Sequence, residues 1–94
     1  MGKKGLAALL VPVTALVLAA PAQADQKSFL AALQGHGINL HDQSGAIADG
    51  FGVCVRIQRG NTADQAKAWL QKKNPQLSDS SAAFVVDAAI ANLC

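Results

Sequence analysis

The stretch SDSSAAFVVDAAIANLC, residues 78–94, decides the fold. Ala82, Val85, Val86, Ala89, Ile90 and Leu93 recur at spacings of three and four, which is one stripe of a 3.6-residue period. Ser78 supplies an N-cap hydroxyl and Asp79 a carboxylate for the first turn, where the helix dipole favours negative charge. An amphipathic helix of this kind has to bury its stripe against something. The rest of the chain must therefore supply partners.

Those partners read as three further helices. Before residue 78 stands TADQAKAWLQKKNPQL, in which Thr62 and Gln65 form a capping box and Ala63, Ala66, Trp69 and Leu70 share a face. Pro75 disfavours the α conformation at Asn74 and stops that helix after Lys72 and Lys73. Earlier still, Asp42 or Ser44 opens a helix that Gly60 ends. Its stripe is expected to be Ile47, Phe51, Cys54 and Val55, at i, i+4, i+7 and i+8. Gly50 and Gly52 lie inside it, and they fit either a close approach by another helix or a weakened, kinked one. Asp25 caps a first helix with Phe29, Leu30 and Leu33 on one face, ended by Gly35 and Gly37. Ile38 and Leu40 alternate with polar residues in the connector, as in a loop pinned to a core.

The expected fold is thus all-α, a compact bundle of four short helices over residues 25–94. Its core would hold Phe29, Leu33, Ile47, Phe51, Trp69, Leu70, Val86, Ile90 and Leu93. Phe84 lies about 200° from Ala82 around the last helix, and Val53 is off the stripe of the second. Either the bundle wraps both faces or these residues are exposed, so Phe84 becomes the candidate partner surface.

Residues 1–24 have a different character. Lys3 and Lys4 precede fifteen uncharged residues, Leu6 to Ala20, and Ala22 and Ala24 place small residues where a signal peptidase reads. Removal of residues 1–24 as a signal peptide is expected, with a cut after Ala22 as the alternative. The apolar run falls short of the roughly 20 residues that cross a bilayer, so no stable anchor is expected after cleavage. The localisation implied is secreted, in the cell envelope or outside the cell.

Export changes the reading of charge and of cysteine. Eight Lys and Arg stand against six Asp, and two of the lysines lie in the leader, so six against six remain from Asp25 onward. Neutrality argues against nucleic acid as a partner, because phosphate neutralisation needs a basic surplus. Cys54 and Cys94 are expected to form an intramolecular disulfide, with an intermolecular bridge through Cys94 as the alternative. Closing a loop of 40 residues is worth about 4 kcal/mol in the chain-entropy account, comparable to the whole stability of so small a domain.

The side chains able to do chemistry are His36, His41, Asp42, Asp49, Asp87 and the serines. His36, His41 and Asp42 do not share one helical face and lack a fourth ligand, so no metal site is expected. No GxSxG serine stands at a strand-to-helix turn, and most Asp residues are placed to start helices. About 70 residues also leave little room for a second cleft wall. No catalytic residue and no cofactor is expected.

The order FLAAL followed by glycine, AIADGFGVC, a capped amphipathic helix, NPQLS and an alanine-rich helix closing on cysteine resembles the small secreted mycobacterial proteins grouped as domain of unknown function family 732. The resemblance spans Phe29 to Cys94. It implies an actinobacterial source, a helical fold and a bridge between Cys54 and Cys94, and it implies no activity. The expectation is a monomeric, non-enzymatic interaction module for an unknown protein or envelope component. A lipid or small-amphiphile carrier is the alternative and would need an internal apolar cavity. A hydrolase is the remote third reading, and would need His36 or His41 beside Asp49 or Asp87.

Overall fold

The structure, a computed structural model, describes residues 25–40 and 42–94. Residues 1–24, where the signal peptide is expected, and His41 lie outside them. Four helices follow one another: α1 Gln26–Gly35, α2 Gln43–Gln58, α3 Ala63–Lys73 and α4 Asp79–Asn92. Among the described residues there is no strand, and none of these helices is long and apolar enough to cross a membrane.

Local chemistry sets the helix ends. Asp25 accepts from Ser28 N at 3.1 Å and Asp42 from Gly45 N at 2.7 Å, so each carboxylate satisfies a first-turn N–H that the helix itself cannot. Thr62 and Gln65 make both bonds of the expected capping box, and Ser78 caps α4 through Ser81 N. At the other ends, Gly37 and Gly60 adopt φ of 70° and 94°. Ile38 N then reaches Leu33 O and Asn61 N reaches Arg56 O, the six-to-one bonds of a Schellman stop. Ile38 and Leu40 are buried, as the alternation of the connector predicts.

The last helix is the centre of the bundle: α4 packs on α1, α2 and α3. Ala82, Val85, Val86, Ala89 and Leu93 are buried as expected, but Ala88 joins them and Ile90 is 41% exposed. Three neighbours enclose α4 over more than a stripe, and the side that carries Ile90 is the one left open. Val53 is fully buried and Phe84 half-buried against the core, so the bundle wraps both faces.

The second helix departs further from its amphipathic reading. Its buried face is Ala46, Asp49, Gly50, Val53 and Cys54. Ile47 and Phe51 are only half-buried, and Val55 is 38% exposed. The helix is turned by about one residue, roughly 100°, from the expected stripe. Its glycines explain the turn, since a Cβ on Gly50 would sit 2.5 Å from Leu93 Cδ1 and 2.8 Å from Phe29 Cζ. A Cβ on Gly52 would collide with the ring of Trp69. Neighbours enter where the side chains are absent, so close approach outweighs the apolar stripe in choosing the face.

Cys54 and Cys94 form the disulfide, with Cα atoms 5.3 Å apart, and no free cysteine remains among the described residues. The bond ties the middle of α2 to the end of the chain.

Candidate functional site

A site is assembled where α1, the connector and the start of α2 converge. Leu30 and Leu33 from α1, Ile38 and Leu40 from the connector, and Ala46 from α2 supply apolar walls to a groove of about 170 Å³. Gln34, Asn39 and Gln43, all exposed, also line it. Asp42 also lines it, but its carboxylate is engaged as the cap of α2. The Schellman stop after α1 turns the chain at Gly37, and Ile38 and Leu40 then line the same groove as Leu30 and Leu33. What results is a concavity whose lining combines five apolar side chains with three amides and the Asp42 carboxylate.

The remaining ionisable residues are mostly tied into the structure. Asp49 is 2% exposed, with Lys73 Nζ 3.0 Å from Oδ1 and Asn74 Nδ2 donating to Oδ2 at 3.2 Å. Asn74 is wholly buried and also donates to Leu70 O. This cluster joins α2 to the end of α3, and a buried carboxylate is tolerated there because a cation and an amide meet it. Lys73 stands in the last turn of α3 and supplies the cation of this pair. Beside it, Arg56 lies over the Trp69 ring, 3.8 Å from its centre, while donating to Gly52 O at 3.1 Å. Lys73 Nζ is 5.4 Å from the same ring. Lys67 and Asp79 pair at the surface.

Phe84 is half-buried. Its ring stacks on His36, with centroids 3.8 Å apart and planes 6° from parallel, and its other contacts are with the core. Phe84 thus helps to fasten the end of α1 to α4. Asp25 has its carboxyl held below the ordinary aspartate value, chiefly by the hydrogen bond from the Ser28 backbone. Among the described residues no group of three or more His, Cys, Asp or Glu side chains is placed to hold a metal ion.

Leu30, Gln34, Asn39 and Gln43 were not singled out by the sequence as a set. The one available signal was the alternation of Ile38 and Leu40 just after a glycine stop, which implied a loop folded back on the core without saying what stood opposite. No curated protein and no solved structure matches the chain. The model of a family described as protein of unknown function (DUF732) matches residues 24–94. It covers the capped helices, the glycine-bearing α2 and both cysteines, and on that match this chain belongs to the DUF732 family.

Proposed function

We propose that this protein is a secreted, non-enzymatic interaction module of an actinobacterial cell envelope or exterior, acting as a monomer on a protein or another envelope component. The observation that carries the reading is the contrast between the groove and the charges. The groove is lined mainly by apolar side chains and amides, and the carboxylates of Asp25, Asp42, which also lines it, Asp49 and Asp79 are engaged in caps and pairs. A largely apolar lining on a domain of balanced charge favours shape and apolar contact as the means of recognition. The leader pattern in residues 1–24 and the disulfide both suit an oxidising compartment outside the cytoplasm.

Carriage of a lipid or small amphiphile would use the same groove, whose apolar walls are what favours that second reading. Its volume of about 170 Å³ is below the roughly 300–1,000 Å³ of sites that enclose small molecules, so the interaction reading stands first.

The test has two arms. Mass measurement on protein from the culture medium of an actinobacterial host should give a chain starting at Asp25, lighter by the hydrogens lost to the disulfide. Titrating the labelled protein with fractionated envelope should then move amide resonances at Leu30, Gln34, Asn39 and Gln43. Retention in the cytoplasm with the leader attached would refute the first arm. Chemical turnover of any fraction would refute the non-enzymatic reading.

A further inference from the structure

We propose that the cut expected before Asp25 creates a ligand for the fold itself: the new α-ammonium docks on the C-terminal end of α4, at the carbonyl of Asn92, and supplies the cation that this helix end lacks. The inference rests on the export reading and adds what processing does to the bundle.

Position comes first. Asp25 is fixed by three bonds: its N–H donates to Asn92 O at 3.1 Å, its carboxylate accepts from Ser28 N at 3.1 Å and its carbonyl accepts from Phe29 N at 3.1 Å. The nitrogen that a cut after Ala24 frees therefore already lies against α4. A cut after Ala22 would leave an ordinary peptide N–H at this contact and carry the charge up to about 7 Å along the chain.

Charge comes second. The last carbonyls of a helix have no partner within it, and they form the negative end of its dipole. Arg56 stands in the last turn of α2, and Lys72 and Lys73 in that of α3, whereas the last turn of α4 has no basic residue. Asn92 O is one of the last carbonyls of α4, and cleavage exchanges the neutral donor that meets it for a charged one. A hydrogen bond with an ionised donor is roughly twice as strong as a neutral one.

One effect opposes this. Asp25 also caps α1, whose N-terminal end disfavours positive charge. The Asp25 carboxylate stands at that same end, bonded to Ser28 N, and offsets the ammonium there. The contact with Asn92 O is direct, at hydrogen-bond distance, and outweighs a dipole that is already capped.

Residues 25–94 carry all four helices and the disulfide, so a chain that begins at Asp25 holds the whole bundle. Three oxidised chains made by synthesis test the docking. One has a free Asp25 amine, one has that amine acetylated, which keeps the N–H and removes the charge, and one is extended by Gln23 and Ala24, which keeps the charge and moves it. In denaturant unfolding at low salt the free Asp25 chain should show a folding constant about three- to tenfold above the other two, as for a cation at a helix end. Salt at 1 M should shrink that advantage, because its screening length is about 3 Å. In the acetylated chain, Ala91→Lys places a cation on the last turn of α4 from an exposed position and should recover part of the loss.

Equal stability of the three chains overturns the proposal, as does failure of Ala91→Lys to recover any of the loss. A more stable acetylated chain overturns it by showing that the α1 dipole wins. An advantage untouched by salt overturns it as well, because no charge is then at work. Sequencing of the secreted protein separates the two readings. A start at Gln23 overturns the docked amine and leaves export standing, whereas a leader retained in the cytoplasm removes the export reading and the docked amine with it.

Discussion

Gly50 and Gly52 stand two residues apart on α2 and admit opposite kinds of neighbour. At Gly50 the neighbours are Leu93 and Phe29, both buried, and one turn later Cys54 is bonded to Cys94. At Gly52 the neighbour is Trp69, half-buried, with Arg56 over its ring and the Asp49–Lys73 pair alongside. Residues two apart on a helix point about 200° apart, so the two glycines serve different flanks. One flank is apolar and covalently closed. The other is held by an aromatic ring and charges, and its outer part reaches water. The same residue type, chosen for the same lack of a Cβ, thus supports a rigid seam on one side and an adjustable one on the other.

Removing the covalent closure should have the largest effect. Cys54→Ala with Cys94→Ala is expected to lower stability by about 4 kcal/mol, because the unfolded chain regains the freedom of a 40-residue loop. Denaturant unfolding of the variant against the oxidised protein measures it, and a loss under about 1 kcal/mol would show that the apolar packing around Gly50 holds that flank unaided.

On the charged flank, Lys73→Met takes the Lys73 cation away from the buried Asp49 carboxylate. The expected loss is about 3 kcal/mol, at the low end for a broken buried pair because Lys73 itself is half exposed. Adding Asp49→Leu to that variant should restore part of the loss, since an apolar replacement of both partners also removes the buried carboxylate that Lys73 had met. Failure of the double variant to recover would assign the loss to the contact of Lys73 with Trp69.

The glycines separate the flanks most directly. Gly50→Ala should cost about 2 kcal/mol from overpacking, because Leu93 and Phe29 are both enclosed. Gly52→Ala should cost less than about 1 kcal/mol, because a half-buried Trp69 can swing outward and alanine recovers helix propensity. Tryptophan fluorescence should shift to longer wavelength in Gly52→Ala and stay in place in Gly50→Ala. Equal losses would erase the distinction between rigid and adjustable seams.

The smallest effect lies away from both flanks and serves as their baseline. Asp25 titrates below its ordinary value in the folded chain, so its contribution to stability is present above about pH 4 and is lost as pH falls through the lowered value. Asp25→Asn should flatten that part of the acid limb of the stability curve and leave both α2 flanks unchanged. An unaltered acid limb would remove Asp25 as a source of the dependence.

Phe84 shows why a partner surface is hard to assign from one helix alone. It stands opposite the stripe of α4, yet the end of α1 returns to place His36 on its ring. Phe84→Asp would therefore disturb packing as well as any contact with a partner, and a binding assay on that variant needs a folding measurement beside it. Asp49 teaches the same lesson from the core. A carboxylate next to Gly50 gives no local sign that Lys73, 24 residues later, pairs with it.

The sequence alone determined whatever is settled within a few residues. Asp25, Asp42, Thr62 and Ser78 start the helices and Gly37 and Gly60 help to end them, because caps and left-handed stops are satisfied by neighbours along the chain. It also determined the four-helix count, and the pairing of its cysteines was expected from it. Tertiary structure decided which way each helix faces. α2 turned its glycines, and not Ile47 and Val55, toward its neighbours, and α4 left Ile90 outside while burying Ala88. It also decided the groove, whose walls come from three segments that meet only after folding. The physical reason is that an end is satisfied by local hydrogen bonds, whereas the face a helix presents depends on how closely other backbones can approach it, and that is a property of the whole packed chain.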